Sequence, residues 1–274
     1  MISLQQSKPL IMGILNVTPD SFSDGGKYTD LENAIRHGKQ MIDEGADIID
    51  IGGESTRPGS ARVKSEEQIK RVVHIIEAIS ETIPEHVSIS IDTTLSDVAE
   101  AALHAGASIV NDVSGGNDDK SIIDLCVDQN CPYIIMHMLG SPGTMQDNPE
   151  YDDVVNDIES FLTSRAEYCL DKGIKKENLC IDPGIGFGKT REHNLLLLKN
   201  LDKYVATGYP VLLGTSRKRF MGTICEVNTP EELVGATAAT TALGVANGVK
   251  IFRVHDVKPN RQAADVAWSI FNPN

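Results

Sequence analysis

Carboxylate, amide and basic side chains stand where short apolar runs of this sequence end, and they form two chemically distinct groups. Asp92, Asn111 and Asp182 make up the first group, and no basic residue stands beside them in the sequence. Carboxylates buried in such places need hydrogen-bond donors, so we expect a ligand rich in N–H groups to supply them. The second group is basic and indicates a site for an anion; its members are Arg57, Lys189, Arg217, Lys218, Arg253 and His255.

Other polar residues occupy equivalent positions, and for each of them a simpler interpretation is open. An Asn or Asp after a strand is as often a turn residue or a helix N-cap as a ligand-binding group. His137 is more typical of a buried residue with an internal partner, and Met136 of packing or a pocket wall. The additional polar residues at the ends of apolar runs are Asn16, Glu54, Ser55, Thr56, Asp112, Ser216 and Asp256.

The elements that must position these residues follow from the hydrophobic pattern. Helical patterns separate eight β-branched runs, and several helices end at a glycine just before the next strand, as in "EGADIIDI", "AGASIVND" and "NGVKIFRV". Strands too apolar to have a solvated face predict a closed parallel (β/α)8 barrel, a TIM barrel, as one domain over residues 1–274. The predicted strands are Ile11–Val17, Asp47–Gly53, Ser88–Asp92, Ser108–Val113, Tyr133–Met138, Leu179–Pro183, Pro210–Gly214 and Lys250–Val254.

In this fold the carboxyl ends of all strands converge on one mouth, so the polar residues above share a site although they span most of the chain. The helix before the third strand illustrates the pattern. Ser65 and Gln68 predict a capping box, and apolar residues follow at helical spacing on one face; they are Ile69, Val72, Val73, Ile76 and Ile79.

Composition excludes several classes of function. The chain has 274 residues, is 41% hydrophobic and carries a net charge of −14, which argues against a nucleic-acid or anionic-membrane partner. Neither a secretory leader nor a transmembrane run is evident, so we expect a cytoplasmic protein. The five cysteines are odd in number and lack C-x-x-C spacing, which favours reduced structural thiols.

Five strings identify a resemblance that covers essentially the whole chain. In order they are "MGILNVTPDSFSDGG", "GGESTRPG", "DPGIGFGKT", "TSRKRF" and "FRVHDV", with "IDT", "NDVSGG" and "MHM" between them. Together they resemble the bacterial dihydropteroate synthases, with no departure at the motif positions. The resemblance implies condensation of 6-hydroxymethyl-7,8-dihydropterin pyrophosphate with 4-aminobenzoate, giving 7,8-dihydropteroate and pyrophosphate with Mg²⁺ as cofactor.

The resemblance also implies roles for individual residues. It assigns the pterin ring to Asp92, Asn111, Met136, Asp182, Lys218 and Arg253. It assigns the pyrophosphate to Asn16, Thr56, Arg57, Arg253 and His255. It assigns Mg²⁺ to Asn16 and Asp24. It assigns 4-aminobenzoate to Pro58, Gly186, Phe187, Ser216 and Lys218. The residues expected to act in catalysis are Asp92, Lys218, Arg253 and His255.

Charge then suggests a dissociative reaction. Basic groups and Mg²⁺ stabilise the departing pyrophosphate, Asp92 stabilises the positive pterin methylene, and no covalent nucleophile is required. Two alternatives stay open: a pterin-reading barrel of the corrinoid methyltransferase type, and a pterin-binding relative without full activity. The first needs no pyrophosphate site, and the second predicts a lost site residue, which the sequence does not show.

Two further expectations concern assembly and loops. The segment "PEELVGATAATTALGVANG" carries almost no charge after Glu232, so we expect a homodimer through the helix near residues 231–247. The loops at 18–29 and 54–65 have few apolar anchors, and we expect the bound anion and Mg²⁺ to order them.

Overall fold

The structure is a computed structural model that describes residues 4, 6–17, 26–56, 59–141 and 143–273, and the side chains of these except at 26–30. Asp24, Arg57 and Pro58 lie outside the described residues, so their assignments stay predictions. The expected ordering of the two loops by ligand also stays a prediction, although a helix begins at Gly26 and includes the last residues of the 18–29 segment.

Eight parallel strands form one sheet, whose order is β6-β5-β4-β3-β2-β1-β8-β7. A parallel bridge between Ile181 and Val211 brings β6 to β7, so the sheet closes on itself and the predicted (β/α)8 barrel is confirmed. Strand ends differ from the predicted ones by no more than two residues. The strands are β1 (Leu10–Asn16), β2 (Ile48–Gly52), β3 (Ser88–Asp92), β4 (Ile109–Asp112), β5 (Tyr133–Met136), β6 (Leu179–Asp182), β7 (Leu212–Leu213) and β8 (Ile251–Val254).

Helices alternate with the strands and cover the outside of the barrel. They are α1 (Gly26–Asp43), α2 (Ser65–Ser80), α3 (Ser96–His104), α4 (Ser121–Gln129), α5 (Val154–Lys172), α6 (Arg191–Lys199), α7 (Leu201–Ala206), α8 (Arg219–Cys225), α9 (Val234–Ala246) and α10 (Val257–Phe271). Short 3-10 turns precede β6 and α9. Among the described helices, none has both the length and the apolar character needed to cross a membrane.

Side chains alternate between two cores along each strand. A large cluster fills the space between strands and helices, whereas a smaller one lies inside the barrel. The inner cluster contains Leu4, Leu10, Met12, Ile48, Ile109, Ile134, Cys180, Leu212 and Ile251. Because these residues occupy the lower part of the barrel interior, the side chains farther along the same strand faces are left to build the mouth.

The sequence predicts two kinds of helix cap, and the structure confirms one and contradicts the other. The glycine C-caps are confirmed, since Gly45, Gly106 and Gly248 all have positive φ angles. The capping box at Ser65 is wrong: the N-cap of α2 is Lys64, and no side chain caps it. The Gln68 amide instead donates to Glu54 Oε2 at 2.6 Å, and a hydrogen bond to a carboxylate is stronger than one between neutral groups.

Candidate active site

The floor of the mouth is a row of side chains from four neighbouring strands. Asp92 is paired in register with Asn111 across β3 and β4, and Met136 with Asp182 across β5 and β6. All four residues are buried. The structure therefore brings together the four predicted pterin residues that end these strands.

Arg253 reaches this floor from β8, on the other side of the barrel. Its Nη2 donates to Asp92 Oδ2 at 2.6 Å, and its Nε donates to Asp50 Oδ2 at 2.6 Å. The cationic neighbour of Asp92 is therefore far from it in sequence, and the fold brings the two together. Burial opposes the charge of Arg253, but the two carboxylates outweigh it and raise the pKa of Arg253 above its ordinary value.

The two floor carboxylates, Asp92 and Asp182, have higher pKa values than exposed carboxyl groups. Burial raises the pKa of Asp92, which the charge of Arg253 opposes and the nearby Asp50 reinforces. Burial also raises the pKa of Asp182, opposed by the backbone N–H of Gly184, which donates to its Oδ1 at 2.7 Å. Each carboxylate can therefore still accept hydrogen bonds, and a ligand rich in donors stabilises its ionised form.

Lys218 closes the site over the turn that follows β6. Its Nζ donates to the carbonyl of Ile185 and lies 4.1 Å from the centre of the Phe187 ring. Burial lowers the pKa of Lys218 to about 7, against the opposing effect of Asp182. A Cβ atom at Gly186 would lie 2.8 Å from Lys218 Cδ, so the close approach depends on glycine. Gly186, Phe187 and Lys218 thus form one wall, as the benzoate assignment requires.

Ser216 and His255 meet at the ends of β7 and β8. The backbone N–H of His255 donates to Ser216 Oγ at 3.0 Å, and the imidazole Nδ1 lies 3.0 Å from the same oxygen. The direction of the second hydrogen bond depends on the histidine tautomer. Ser216, assigned to the benzoate, and His255, assigned to the pyrophosphate, are therefore neighbours.

Two members of the predicted basic group do not face the mouth as free cations. Arg217 makes a bidentate ion pair with Asp256, at 3.0 and 2.8 Å. Lys189 is buried, and its Nζ contacts His137 Nδ1 at 3.0 Å and donates to the carbonyl of Phe187 at 2.9 Å. Internal acceptors therefore hold both side chains, and their role in binding an anion stays a prediction.

His137 is a buried residue with an internal partner, which confirms its interpretation from sequence. Burial lowers the pKa of His137 to about 3, and the charge of Lys189 adds to this effect. The imidazole is therefore neutral near pH 7, and its Nδ1 accepts from Lys189. Because Lys189 also donates to the carbonyl of Phe187, the pair anchors the turn that carries this residue.

The predicted metal side of the mouth is described only in part. Asn16 is the last residue of β1 and is half-buried, as is Thr56 in the loop after β2. Within the described ranges, no group of three or more His, Cys, Asp or Glu side chains forms a metal centre. Of the two predicted magnesium ligands only Asn16 is described, and magnesium binding stays a prediction.

One buried residue escaped the sequence interpretation. Asp50 lies in the middle of β2, inside the barrel, and contacts Arg253 and also Asn111, whose Nδ2 lies 3.2 Å from its Oδ2. The signal was present, since Asp50 is an ionisable residue in a run that is otherwise apolar. Asp50 lies within its strand and not at the strand end, so the strand-end pattern does not include it.

With this geometry established, comparison with known proteins identifies the family. A family model described as a pterin binding enzyme matches residues 12–255. The chain belongs to the pterin-binding enzyme family. This assignment agrees with a barrel whose floor offers two carboxylates and an amide.

Individual proteins of this family are similar to nearly the whole chain. The dihydropteroate synthase of Bacillus subtilis (strain 168) is 44% identical over 269 residues, which is 97% of this chain and 90% of the relative. The solved Xanthomonas albilineans dihydropteroate synthase with 4-aminobenzoic acid is 40% identical with a TM-score of 0.92, covering 100% of this chain and 96% of that one. The same enzyme in complex with 7,8-dihydropteroate is 38% identical with a TM-score of 0.89, covering 100% and 97%.

Proposed function

We propose that the chain is a dihydropteroate synthase, which joins 6-hydroxymethyl-7,8-dihydropterin pyrophosphate to 4-aminobenzoate. One observation carries the proposal: Asp92, Asn111 and Asp182 line the buried floor of the mouth, with Lys218 and Arg253 beside them. The relatives described above carry the same activity in their names.

The floor matches the hydrogen-bonding edge of a pterin. A pterin presents N–H and NH₂ donors together with ring nitrogen and carbonyl acceptors. Asp92 and Asp182 accept from the donors, while Asn111 and Lys218 can donate to the acceptors. The barrel holds these groups on adjacent strands, so the ring is oriented before reaction.

The pyrophosphate and the benzoate take the upper part of the mouth. Arg253 and His255 lie at the end of β8, where an anion leaving the pterin finds positive charge, and Arg57 joins them in the proposal. The benzoate ring lies against Phe187, in the wall that Lys218 and Gly186 complete. Ser216 and Pro58 belong to the same subsite in this proposal.

Mg²⁺ is part of the proposal. Asn16 and Asp24 would hold it together with oxygens of the pyrophosphate, and its chemistry when bound is to neutralise charge on the leaving group. The protein's own groups carry out the remaining work. They bind the pterin, align the amine and stabilise charge at both ends of the bond that breaks.

The reaction requires no covalent nucleophile. The C–O bond to pyrophosphate breaks, the amine nitrogen bonds to the methylene carbon, and the amine releases one proton. An aromatic amine is uncharged near neutral pH, so orientation and charge stabilisation account for catalysis. Asp92 stabilises positive charge on the pterin methylene, and Arg253 and His255 stabilise the departing pyrophosphate.

A homodimer through α9 and its neighbour α10 is also proposed. The inner face of α9 packs so closely on the barrel that a Cβ atom at Gly244 would lie 2.5 Å from the Phe252 ring. Its outer side and α10 leave large apolar side chains exposed, which is typical of an interaction surface. They are Leu243 (44% exposed), Val266 (62%), Ile270 (67%) and Phe271 (59%).

Light scattering tests the dimer. We expect the parent protein to have twice the chain mass at micromolar concentration, and Ile270→Glu to have the mass of one chain. Ile224→Glu is the matched control, since Ile224 is an exposed apolar residue on α8 and its substitution should leave the dimer intact. A parent protein with the mass of one chain would refute the proposal.

Pyrophosphate release with each component omitted in turn tests the activity. Release should require the dihydropterin pyrophosphate and Mg²⁺, and dihydropteroate should form when 4-aminobenzoate is added. Methyl transfer from a methylated folate at a comparable rate would support the corrinoid methyltransferase alternative. Pterin binding without any turnover would support an inactive relative. The cytoplasmic location stays a prediction, consistent with a reaction on small soluble substrates.

A further inference from the structure

Asp50 is a fully buried carboxylate beneath the pterin floor. It is 0% exposed and stands in register with Ser90 on β3 and Ile14 on β1. Side chains alternate along a strand, and Ile48 belongs to the inner cluster, so Asp50 also faces the barrel interior. It lies one layer deeper than Asp92.

Its contacts join three strands at the floor. Oδ2 of Asp50 lies 2.6 Å from Arg253 Nε and 3.2 Å from Asn111 Nδ2. Arg253 bonds in turn to Asp92 through Nη2 at 2.6 Å. Two carboxylates thus hold two separate nitrogens of one guanidinium, and this fixes both the position and the plane of the group. Among the described residues, Nη1 of Arg253 has no hydrogen-bond partner.

Stability alone is a poor reason to keep a carboxylate at this depth. Its Oδ1 has no hydrogen-bond partner in the described part of the chain, and the neighbouring Ser90 Oγ likewise has none. A buried ion pair often stabilises a fold no better than apolar residues of similar volume. Asp50 differs from Ser90 because it contacts two residues of the pterin site.

We propose that Asp50 is a positioning residue for pterin binding, which holds Arg253 and Asn111 in place beneath the ring. Without it, Asp92 is the one carboxylate among the described residues that hydrogen-bonds to Arg253, and the Asp92 carboxylate is drawn from the ligand towards the guanidinium. Asn111 also loses the acceptor that orients its amide. The proposal rests on the pterin-binding function above and adds a residue that never touches the ligand.

The variant that tests this is Asp50→Asn, with Ser90→Ala as its matched control. Ser90 is buried at the same depth on the next strand, yet it makes no hydrogen bond to Arg253 or Asn111. Asp50→Asn should lower kcat/KM for the pterin substrate by about 10- to 100-fold, the range for losing a charge-assisted hydrogen bond. The KM for 4-aminobenzoate should change less than about twofold in either variant, since Asp50 contacts none of the benzoate wall.

A merely structural role for Asp50 would produce a different pattern. It would lower the melting temperature and the amount of active enzyme while leaving both KM values unchanged. A folded Asp50→Asn protein with a parental KM and kcat for the pterin substrate would overturn the proposal. So would an equal effect of Ser90→Ala.

A second measurement uses the unmodified protein, in case Asp50→Asn does not fold. In a ¹⁵N NMR spectrum, the Arg253 Nε–H should exchange with water at least about tenfold more slowly than that of the exposed Arg36, because a buried carboxylate holds it. Equal exchange rates would overturn the proposal. This result does not depend on turnover, whereas a parent protein that makes no dihydropteroate would instead refute the proposed function.

Discussion

Gly184 occupies a position that an alanine cannot take without moving the active site. Its φ angle is +66°, and its N–H donates to Asp182 Oδ1 at 2.7 Å. A Cβ atom there would lie 2.0 Å from the carbonyl oxygen of His137, which is backbone and cannot rotate away. We expect Gly184→Ala to damage pterin binding more than any loss of stability explains.

Two contributions determine how much Gly184→Ala lowers the free energy of unfolding. The left-handed conformation costs an alanine about 1–2 kcal/mol. Relieving the contact requires the Cβ–oxygen distance to grow from 2.0 Å to about 3.3 Å, and this movement breaks the Gly184–Asp182 bond. Losing a hydrogen bond to a charged group costs about 1.5–3 kcal/mol. Together they give about 2.5–5 kcal/mol of destabilisation, and the displaced Asp182 lowers kcat/KM for the pterin substrate by about 10²-fold.

The control variant Gly208→Ala measures the cost of the left-handed backbone conformation without a steric clash of the new Cβ atom. Gly208 has a similar φ of +78°, but its Cβ would meet nothing closer than Lys176 Nζ at 3.7 Å. It precedes β7 and therefore lies at the end of the barrel opposite the mouth. This variant should lose only about 1–2 kcal/mol and keep its activity.

Urea unfolding and steady-state pyrophosphate release measure the two effects. The reasoning fails if both variants lose the same free energy of unfolding. It also fails if Gly184→Ala loses stability while its KM for the pterin substrate stays at the parental value, because Asp182 would then not depend on this turn.

Further outcomes concern the Arg217 loop, proton release and the thiols. Arg217 has a φ of +57° and a bidentate bond to Asp256, so Arg217→Ala and Asp256→Ala should each lower kcat/KM by about tenfold, and the double variant by little more. Additive losses would show that the pair does not act as a unit. Because burial raises the pKa of Asp92 to about 7, much of this carboxyl is protonated at pH 6 in the free site, and pterin N–H donors displace that proton. Titration calorimetry in two buffers should therefore show proton release and an affinity that rises with pH, and identical heats would contradict this. Of the five thiols, only Cys225 is exposed, so one thiol should react rapidly with Ellman's reagent in the native state and five after denaturation.

Most of the fold was predictable because its signals are local. Apolar runs recur eight times, several of them shortly after a glycine C-cap, and each run marks a strand without reference to the others. The seventh strand is the shortest, at Leu212–Leu213, although the sequence predicts Pro210–Gly214. Pro210 has no N–H to donate, and only one bridge joins this strand to β6, so the ladder there is short.

The sequence predicts which residues lie at the mouth of the barrel, but it does not predict which of their side chains pair with one another. Parallel strands end together, and this alone places Asp92, Asn111 and Asp182 on one floor. The pairing of Arg253 with Asp92, 161 residues earlier, depends on how β8 faces β3 across the barrel. The same is true of Lys189, whose burial against His137 no local pattern indicates. Both pairings follow from three-dimensional packing between segments that are far apart in sequence.

The position of Arg253 in the last strand has a consequence for the order of events during folding. Its partners Asp50 and Asp92 precede it by 203 and 161 residues, so both acids are made long before their shared cation. Until β8 inserts between β1 and β7, Asp50 and Asp92 lack the guanidinium to which both hydrogen-bond. Insertion of β8 completes the sheet and supplies that group in the same step, which couples closure to the formation of the pterin floor. Contacts this distant in sequence form late and slowly. A nascent chain that has not reached residue 253 therefore lacks both its closing strand and the cation on which its binding site depends.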